Sequence, residues 1–273
     1  ALLSPTDPIA VLALLKDSKA PQALSTKIAG ESLFNDGTGV VLFLVILQAI
    51  GSGNGIEPLH VLSLFLRETV GGTFLGLAFG YLAFRLLKSI DNYSVEALLT
   101  LALVTGGYSV AHLLHVSGPI AMVLAGLLIG NRGRLFAMSE RTRENLDTFW
   151  ILIDETLVAV LFVLLGMEVL VVPFEWVPFG VGLLAIPVVL AVRFISVGAP
   201  LNILRRYHEF GPNTAKIMTW GGLKGGISVA LVLSLPASPI RDTLLLVTYV
   251  VVVFSVVVQG LTFPAFIRRF PPA

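Results

Sequence analysis

Four polar residues interrupt an otherwise apolar run over residues 27–48, KIAGESLFNDGTGVVLFLVILQ: Glu31, Ser32, Asn35 and Asp36. The run is long enough to cross a bilayer as a helix, and no Lys or Arg stands among the four. On a helix Glu31 and Asn35 are i, i+4 and share one face, while Ser32 and Asp36 share another. At 100° per residue Asp36 lies about 140° round from Glu31. One face can hold a fixed ion pair and the other can bind a small cation. Hard monovalent cations take oxygen ligands, which a carboxylate, a hydroxyl and a freed backbone carbonyl supply. Burial disfavours the charged form of any carboxylate, so such a group is also a proton site. Cation and proton competing for Asp36, with access alternating between the two sides, amounts to antiport.

The elements that must position these residues are membrane helices. The chain has 273 residues, 56% hydrophobic and 13% charged, with mean hydropathy +0.91. Soluble domains are about 25% charged, and apolar runs of about 20 residues mark helical membrane proteins. A net charge of +1 gives no field for nucleic acid, and the absence of Cys excludes disulfides and thiolate chemistry. Nine membrane segments are predicted, near 1–15, 28–50, 59–84, 95–114, 119–130, 148–171, 178–204, 214–235 and 242–267. The fifth is short enough to be a loop or a tilted helix. The start ALLSPTDPIAV reads as a fragment beginning inside a helix.

Strict alternation of these segments places Lys16, Lys19, Lys27, Arg85, Lys88, Arg132, Arg134, Arg141, Arg143, Arg205, Arg206, Lys216, Arg268 and Arg269 on one side. Of the basic residues in connectors only Arg241 falls on the other; Arg67, Arg193 and Lys224 lie within spans. The positive-inside rule makes the first side cytoplasmic.

Several ionisable groups then fall at one depth. Asp36 is nine residues beyond Lys27, about 14 Å in at 1.5 Å per residue. Arg193 comes to roughly 16 Å, Lys224 to roughly 15 Å, Asp7 to roughly 14 Å, and Asp154 and Glu155 to roughly 10 Å. Charges this deep face a bundle interior, pair, or mark an ion path. Two breaks fall in the same layer. SPTDPIAVL fits a half-helix starting at Pro8 with Asp7 as N-cap, and TWGGLKGGISVALVLSLP sets four glycines around Lys224, which suits an unwound segment. Paired broken helices at mid-depth point to a secondary-transporter site built from inverted repeats. Asp7 is placed to offset a half-helix N-terminus and Lys224 a C-terminus.

TDPIAV, GESLFNDGTGVVLF, VRFISV, TWGGLKGGISVALVLSLP and VVVFSVVVQGLTFP together resemble the monovalent cation:proton antiporter-1 family, the sodium/hydrogen exchangers that include the bacterial NhaP type. The resemblance runs from the first residues to the last. It implies an all-α polytopic fold of inverted repeats with two crossing broken helices. It implies electroneutral exchange of Na⁺ (or Li⁺ or K⁺) for H⁺ without a cofactor, in a homodimer with an elevator-like motion. It also implies a multi-pass protein of the bacterial inner membrane. By that resemblance residues 1–273 are the C-terminal two-thirds of an exchanger transmembrane domain, lacking about four helices. Asp36 matches the ion- and proton-binding carboxylate, where Na⁺ or another monovalent cation would sit, and Asn35 its amide neighbour. Ser32 and the Thr6 carbonyl match further ligands, Glu31 and Arg193 a structural ion pair, and Asp7 the acidic residue at the crossing. Lys224 stands where the family usually has Arg; Lys keeps the charge and loses the planar fork.

Each residue has a plainer alternative. Asp7 serves equally as an N-cap, Thr6 as a turn residue, and Ser32 could back-bond its own helix. Of Asp154 and Glu155, Glu155 is the candidate for an ion path. Gly72, Gly76 and Gly80 form a ladder for close helix packing. His112 and His115 sit near the outer end of their span. A K⁺-selective or electrogenic antiporter, a channel and an intramembrane hydrolase are the competing functions. The hydrolase lacks a GxGD segment and a mid-span His.

Overall fold

A computed structural model describes residues 1–7, 11, 12, 15, 22–51, 58–90, 92–134, 138–168, 174–206 and 210–271. Among these the regular structure is helical: α1 Gln22–Gly51, α2 Pro58–Ser89, α3 Tyr93–Leu113, α4 Gly118–Leu128, α5 Glu140–Glu168, α6 Trp176–Leu204, α7 Thr214–Trp220, α8 Gly226–Leu233, α9 Pro239–Val253 and α10 Gly260–Arg269. Wider π turns join α4 to Arg134 and α9 to α10. Among the described residues five stretches are long and apolar enough to span a membrane: α1, α2, α3, α6 and the continuous Pro239–Arg269. Pro8, Lys16 and Lys19 lie outside the described residues.

The short fifth segment is a helix. Ser117 caps α4 by accepting the Ile120 N–H, and Pro119 occupies its first turn. The segment expected at 148–171 starts earlier, at Glu140, because its Glu and Arg residues are good helix formers that extend the helix beyond the apolar part.

Contacts divide the chain into two units, Ala1–Asp36 with Val163–Ala273, and Gly37–Phe162. In the second unit α2 packs on α4 through the glycine ladder. A Cβ at Gly72 would fall 2.6 Å from the Ser117 carbonyl oxygen and one at Gly80 2.9 Å from the Ala125 Cα, while Gly76 presses on the Ala121 backbone. Ser117, Ala121 and Ala125 repeat every four residues as well, so two small-residue stripes meet backbone to backbone. His115 turns the chain into α4 with a φ of 53°, a left-handed conformation in which His is several-fold enriched.

In the first unit the core comprises Val11, Leu15, Leu24, Ile28, Val197, Ile217, Met218, Leu223, Phe263 and Ile267. Helix α6 shows the membrane pattern plainly. Leu184, Val188, Val192 and Ile195 are exposed, whereas Pro178, Gly182, Arg193 and Val197 are buried. The buried face thus holds the helix's one deep charge, and the apolar face is left for lipid.

Candidate ion site

The glycine-rich break is real: α7 ends at Trp220, α8 begins at Gly226, and residues 221–225 are unwound between them. An interrupted helix leaves carbonyls and amides without ladder partners, and several of these are met specifically. The Gly221 N–H donates to the Ile217 carbonyl at 2.8 Å and the Gly222 N–H to Thr219 at 3.3 Å. Arg193 Nε and Nη2 donate to the Met218 carbonyl at 3.3 and 3.2 Å. Gln259 Nε2 donates to the Trp220 carbonyl at 2.9 Å. The Leu223 carbonyl accepts the Asp7 N–H at 2.8 Å. That bond joins the two polar breaks foreseen in the sequence.

Charges are distributed around this crossing. Lys224, 4% exposed, donates from Nζ to the Ser4 and Pro5 carbonyls at 3.1 and 3.3 Å. It therefore serves two carbonyls of the first polar break, while the C-terminal carbonyls of α7 are served by Arg193 and Gln259. Asp7 packs against the start of α8, so close that a Cβ at Gly225 would be 2.9 Å from Oδ2. A carboxylate there faces the positive end of a helix.

Helix α1 presents the two faces expected of it. Glu31 receives Arg193 in a two-point fork, Nη1 to Oε1 at 3.2 Å and Nη2 to Oε2 at 2.8 Å. Such bidentate pairs are directional and strong. Gly222 provides the space for the guanidinium, since a side chain there would overlap it. On the other face Ser32, fully buried, donates from Oγ to the Thr6 carbonyl at 2.6 Å and accepts from Thr6 Oγ1 at 3.1 Å. Ser32 thus reaches across to the break and does not back-bond α1. Asp36 Oδ1 accepts the Thr6 N–H at 2.7 Å. Among the described residues Asp36 belongs to no ion pair, the two being Arg193–Glu31 and Arg134–Asp147.

Asn35 meets a residue that the sequence did not single out. Its Nδ2 donates to the Ser4 carbonyl at 2.7 Å, and its Oδ1 accepts from Ser4 Oγ at 3.0 Å. Asn35 and Asp36 together hold the chain at Ser4 and Thr6, leaving the Thr6 carbonyl turned toward Ser32. Ser255 and Gln259 were missed too. They sit in the π turn of the last membrane-length stretch, i and i+4, the same polar spacing that drew attention to Ser32 and Asp36. Asp154 and Glu155 lie on a helix of the other unit. Both are exposed on α5 in the Gly37–Phe162 unit.

The arrangement brings a carboxylate and a hydroxyl of α1 onto one residue, Thr6, whose amide meets the first and whose carbonyl meets the second, with the neighbouring carboxylate already neutralised. Residues 1–269 match the family model described as sodium/hydrogen exchanger, transmembrane. The chain belongs to the sodium/hydrogen exchanger family. It is 49% identical to the Na⁺/H⁺ antiporter NhaP of Pseudomonas aeruginosa, an alignment covering 98% of this chain and 64% of that protein. It is 37% identical to the Na⁺/H⁺ antiporter NhaH of Halobacillus dabanensis, over 98% of this chain and 67% of that one. It is 34% identical to the low-affinity Na⁺/H⁺ antiporter NhaS1 of Synechocystis, over 96% and 51%. The chain spans roughly half to two-thirds of the length of these exchanger relatives.

Proposed function

We propose that the protein is a secondary antiporter exchanging Na⁺ for H⁺ across the bacterial plasma membrane, with the two competing for Asp36. The observation that carries this is the division of labour on α1. Glu31 is neutralised by Arg193, while Asp36, one helical turn from Ser32, addresses the Thr6 segment without an ion pair among the described residues. The relatives' names, Na⁺/H⁺ antiporters, support the choice of ion.

In this reading Na⁺ is substrate. Asp36 supplies the compensating charge, and the Ser32 hydroxyl and the Thr6 carbonyl supply oxygen. Ser32 rotates its proton away from Thr6 when the ion enters. Protonation of Asp36 removes the charge that holds Na⁺, so loading one releases the other. With one Na⁺ and one H⁺ taking turns at Asp36, the exchange is electroneutral. Glu31 and Arg193 hold α1 to α6 and to the end of α7, and they take no part in binding. Asn35 acts by fixing Ser4. Asp7 and Lys224 balance the ends of the broken elements. Glu155 of α5 lines the ion path. A homodimer within the lipid bilayer is the assembly proposed.

The test is proton efflux evoked by Na⁺ in proteoliposomes containing the full-length protein. Efflux in the wild type and none in Asp36→Asn is the expected result. Undiminished exchange in Asp36→Asn removes the assignment.

A further inference from the structure

The unwound stretch at residues 221–225 is gripped from one side by two buried residues to which nothing above assigns a part in transport. Ser255 is 0% exposed and Gln259 3%. The direction of every bond between them is forced. The Lys224 N–H has only a proton to give, so Ser255 Oγ accepts it, at 2.7 Å. The Ser255 proton must then go elsewhere, and it goes to Gln259 Oε1 at 2.7 Å. That fixes the Gln259 amide with its nitrogen toward the Trp220 carbonyl, at 2.9 Å. One chain of three bonds therefore ties the last carbonyl of α7 to the amide of Lys224 within the unwound stretch.

The π turn makes this reach available. Phe254–Gln259 is wider than an α-helix, and such turns recur where a helix must offer side chains outside its ordinary register. No charge is involved, so the grip does not compete with Asp7, Glu31 or Asp36 for a counter-ion.

We infer that Ser255 and Gln259 are positioning residues for ion binding, acting through the Leu223–Lys224 backbone on the Thr6 carbonyl. The links are each on the page. The fixed Leu223 carbonyl holds the Asp7 N–H, and the fixed Lys224 directs Nζ onto the Ser4 and Pro5 carbonyls. Those contacts flank Thr6, whose carbonyl and amide face Ser32 and Asp36. The inference rests on the exchange reading above and adds two residues from a different helix to its machinery.

The experiment measures Na⁺-evoked proton efflux by full-length protein in proteoliposomes, over a range of Na⁺ concentration and pH, with wild type and Asp36→Asn alongside. Gln259→Leu leaves the Trp220 carbonyl without a donor. Gln259→Glu restores one only when its carboxyl carries a proton. Ser255→Ala removes the middle of the chain, and Ser255→Thr keeps the hydroxyl. Gln259→Leu and Ser255→Ala are expected to raise the Na⁺ KM about tenfold with a much smaller change in kcat. Gln259→Glu is expected to match Gln259→Leu at alkaline pH and to return toward the wild-type KM, compared at the same pH, as pH falls. Ser255→Thr is expected to stay near wild type. If Gln259→Leu fails to accumulate in membranes, the Ser255 pair decides. Wild-type KM in Gln259→Leu and Ser255→Ala overturns the inference, and so does a Gln259→Glu that follows Gln259→Leu at every pH. In either case an active wild type beside an inactive Asp36→Asn leaves the exchange reading standing. A wild type without Na⁺-evoked efflux removes both.

Discussion

Gly222 lies against the guanidinium of Arg193, with no room between them for a methyl group. Arg193 cannot step aside, because it is held at one end by both oxygens of Glu31 and at the other by the Met218 carbonyl. Gly222→Ala is therefore expected to break the ion pair. Losing one side of a buried pair costs about 3–5 kcal/mol. Thermal unfolding of the purified protein in detergent should show a large loss. In an Arg193→Ala background the same substitution should cost almost nothing more, because the two changes remove one interaction. Additive losses would separate Gly222 from Arg193.

Reversing the pair should fail. Glu31→Arg with Arg193→Glu keeps opposite charges across the gap but turns a carboxylate toward the Met218 carbonyl, which now has a donor. The double variant is expected to be no more stable than Arg193→Ala. Arg193→Lys should also be impaired, since Lys cannot serve two Glu31 oxygens and a carbonyl with a planar fork. Full stability in the swapped protein would mean that charge alone matters at this site.

Ser32 and Asp36 should separate kinetically. Asp36→Asn removes the charge on which both ion and proton act, and exchange is expected to vanish. Ser32→Ala keeps the charge but removes one oxygen and the partner of the Thr6 carbonyl. It should raise the Na⁺ KM about tenfold while exchange persists at saturating Na⁺. Equal loss in both variants would place Ser32 outside the ion's surroundings.

Competition fixes the sign of the pH effect. A proton on Asp36 excludes Na⁺, so lowering pH on the binding side should raise the apparent Na⁺ KM and leave the maximal rate on that side unchanged. Proteoliposome assays at fixed opposite-side pH measure this directly. A KM that stays flat across pH would show that ion and proton use separate groups.

Glycines offer a contrast within the Gly37–Phe162 unit. Gly76 presses on the backbone at Ala121, whereas a Cβ at Gly106 would meet nothing within 4 Å. Gly76→Val should therefore force the α2–α4 contact apart and cost about 1–3 kcal/mol or more. Gly106→Ala should be neutral or stabilising by roughly 0.5–1 kcal/mol through helix propensity. Thermal unfolding of the two variants side by side gives the comparison.

The sequence by itself determined the membrane class, the helix carrying GESLFND, its two faces, and the break at TWGGLKGG. These follow from local rules: apolar length, the angle per residue on a helix, and the poor helix propensity of clustered glycines. It also identified Arg193 and Lys224 as charges too deep to stand alone. Which carbonyls they would serve was not legible. Arg193 went to Met218 as well as to Glu31, and Lys224 to Ser4 and Pro5, because a donor's partner depends on where unwound backbone from a distant segment arrives. Ser4, Ser255 and Gln259 were hidden for the same reason. A neutral hydroxyl or amide in an apolar span costs little to bury when it is bonded, so it leaves no hydropathy signal to mark it. Asp154 and Glu155 show the converse. Their depth could be counted along the chain, but that both are exposed on α5 came only from the structure. Residue type and spacing therefore set which groups could do chemistry, and only the tertiary crossing of two broken segments decided which of them meet.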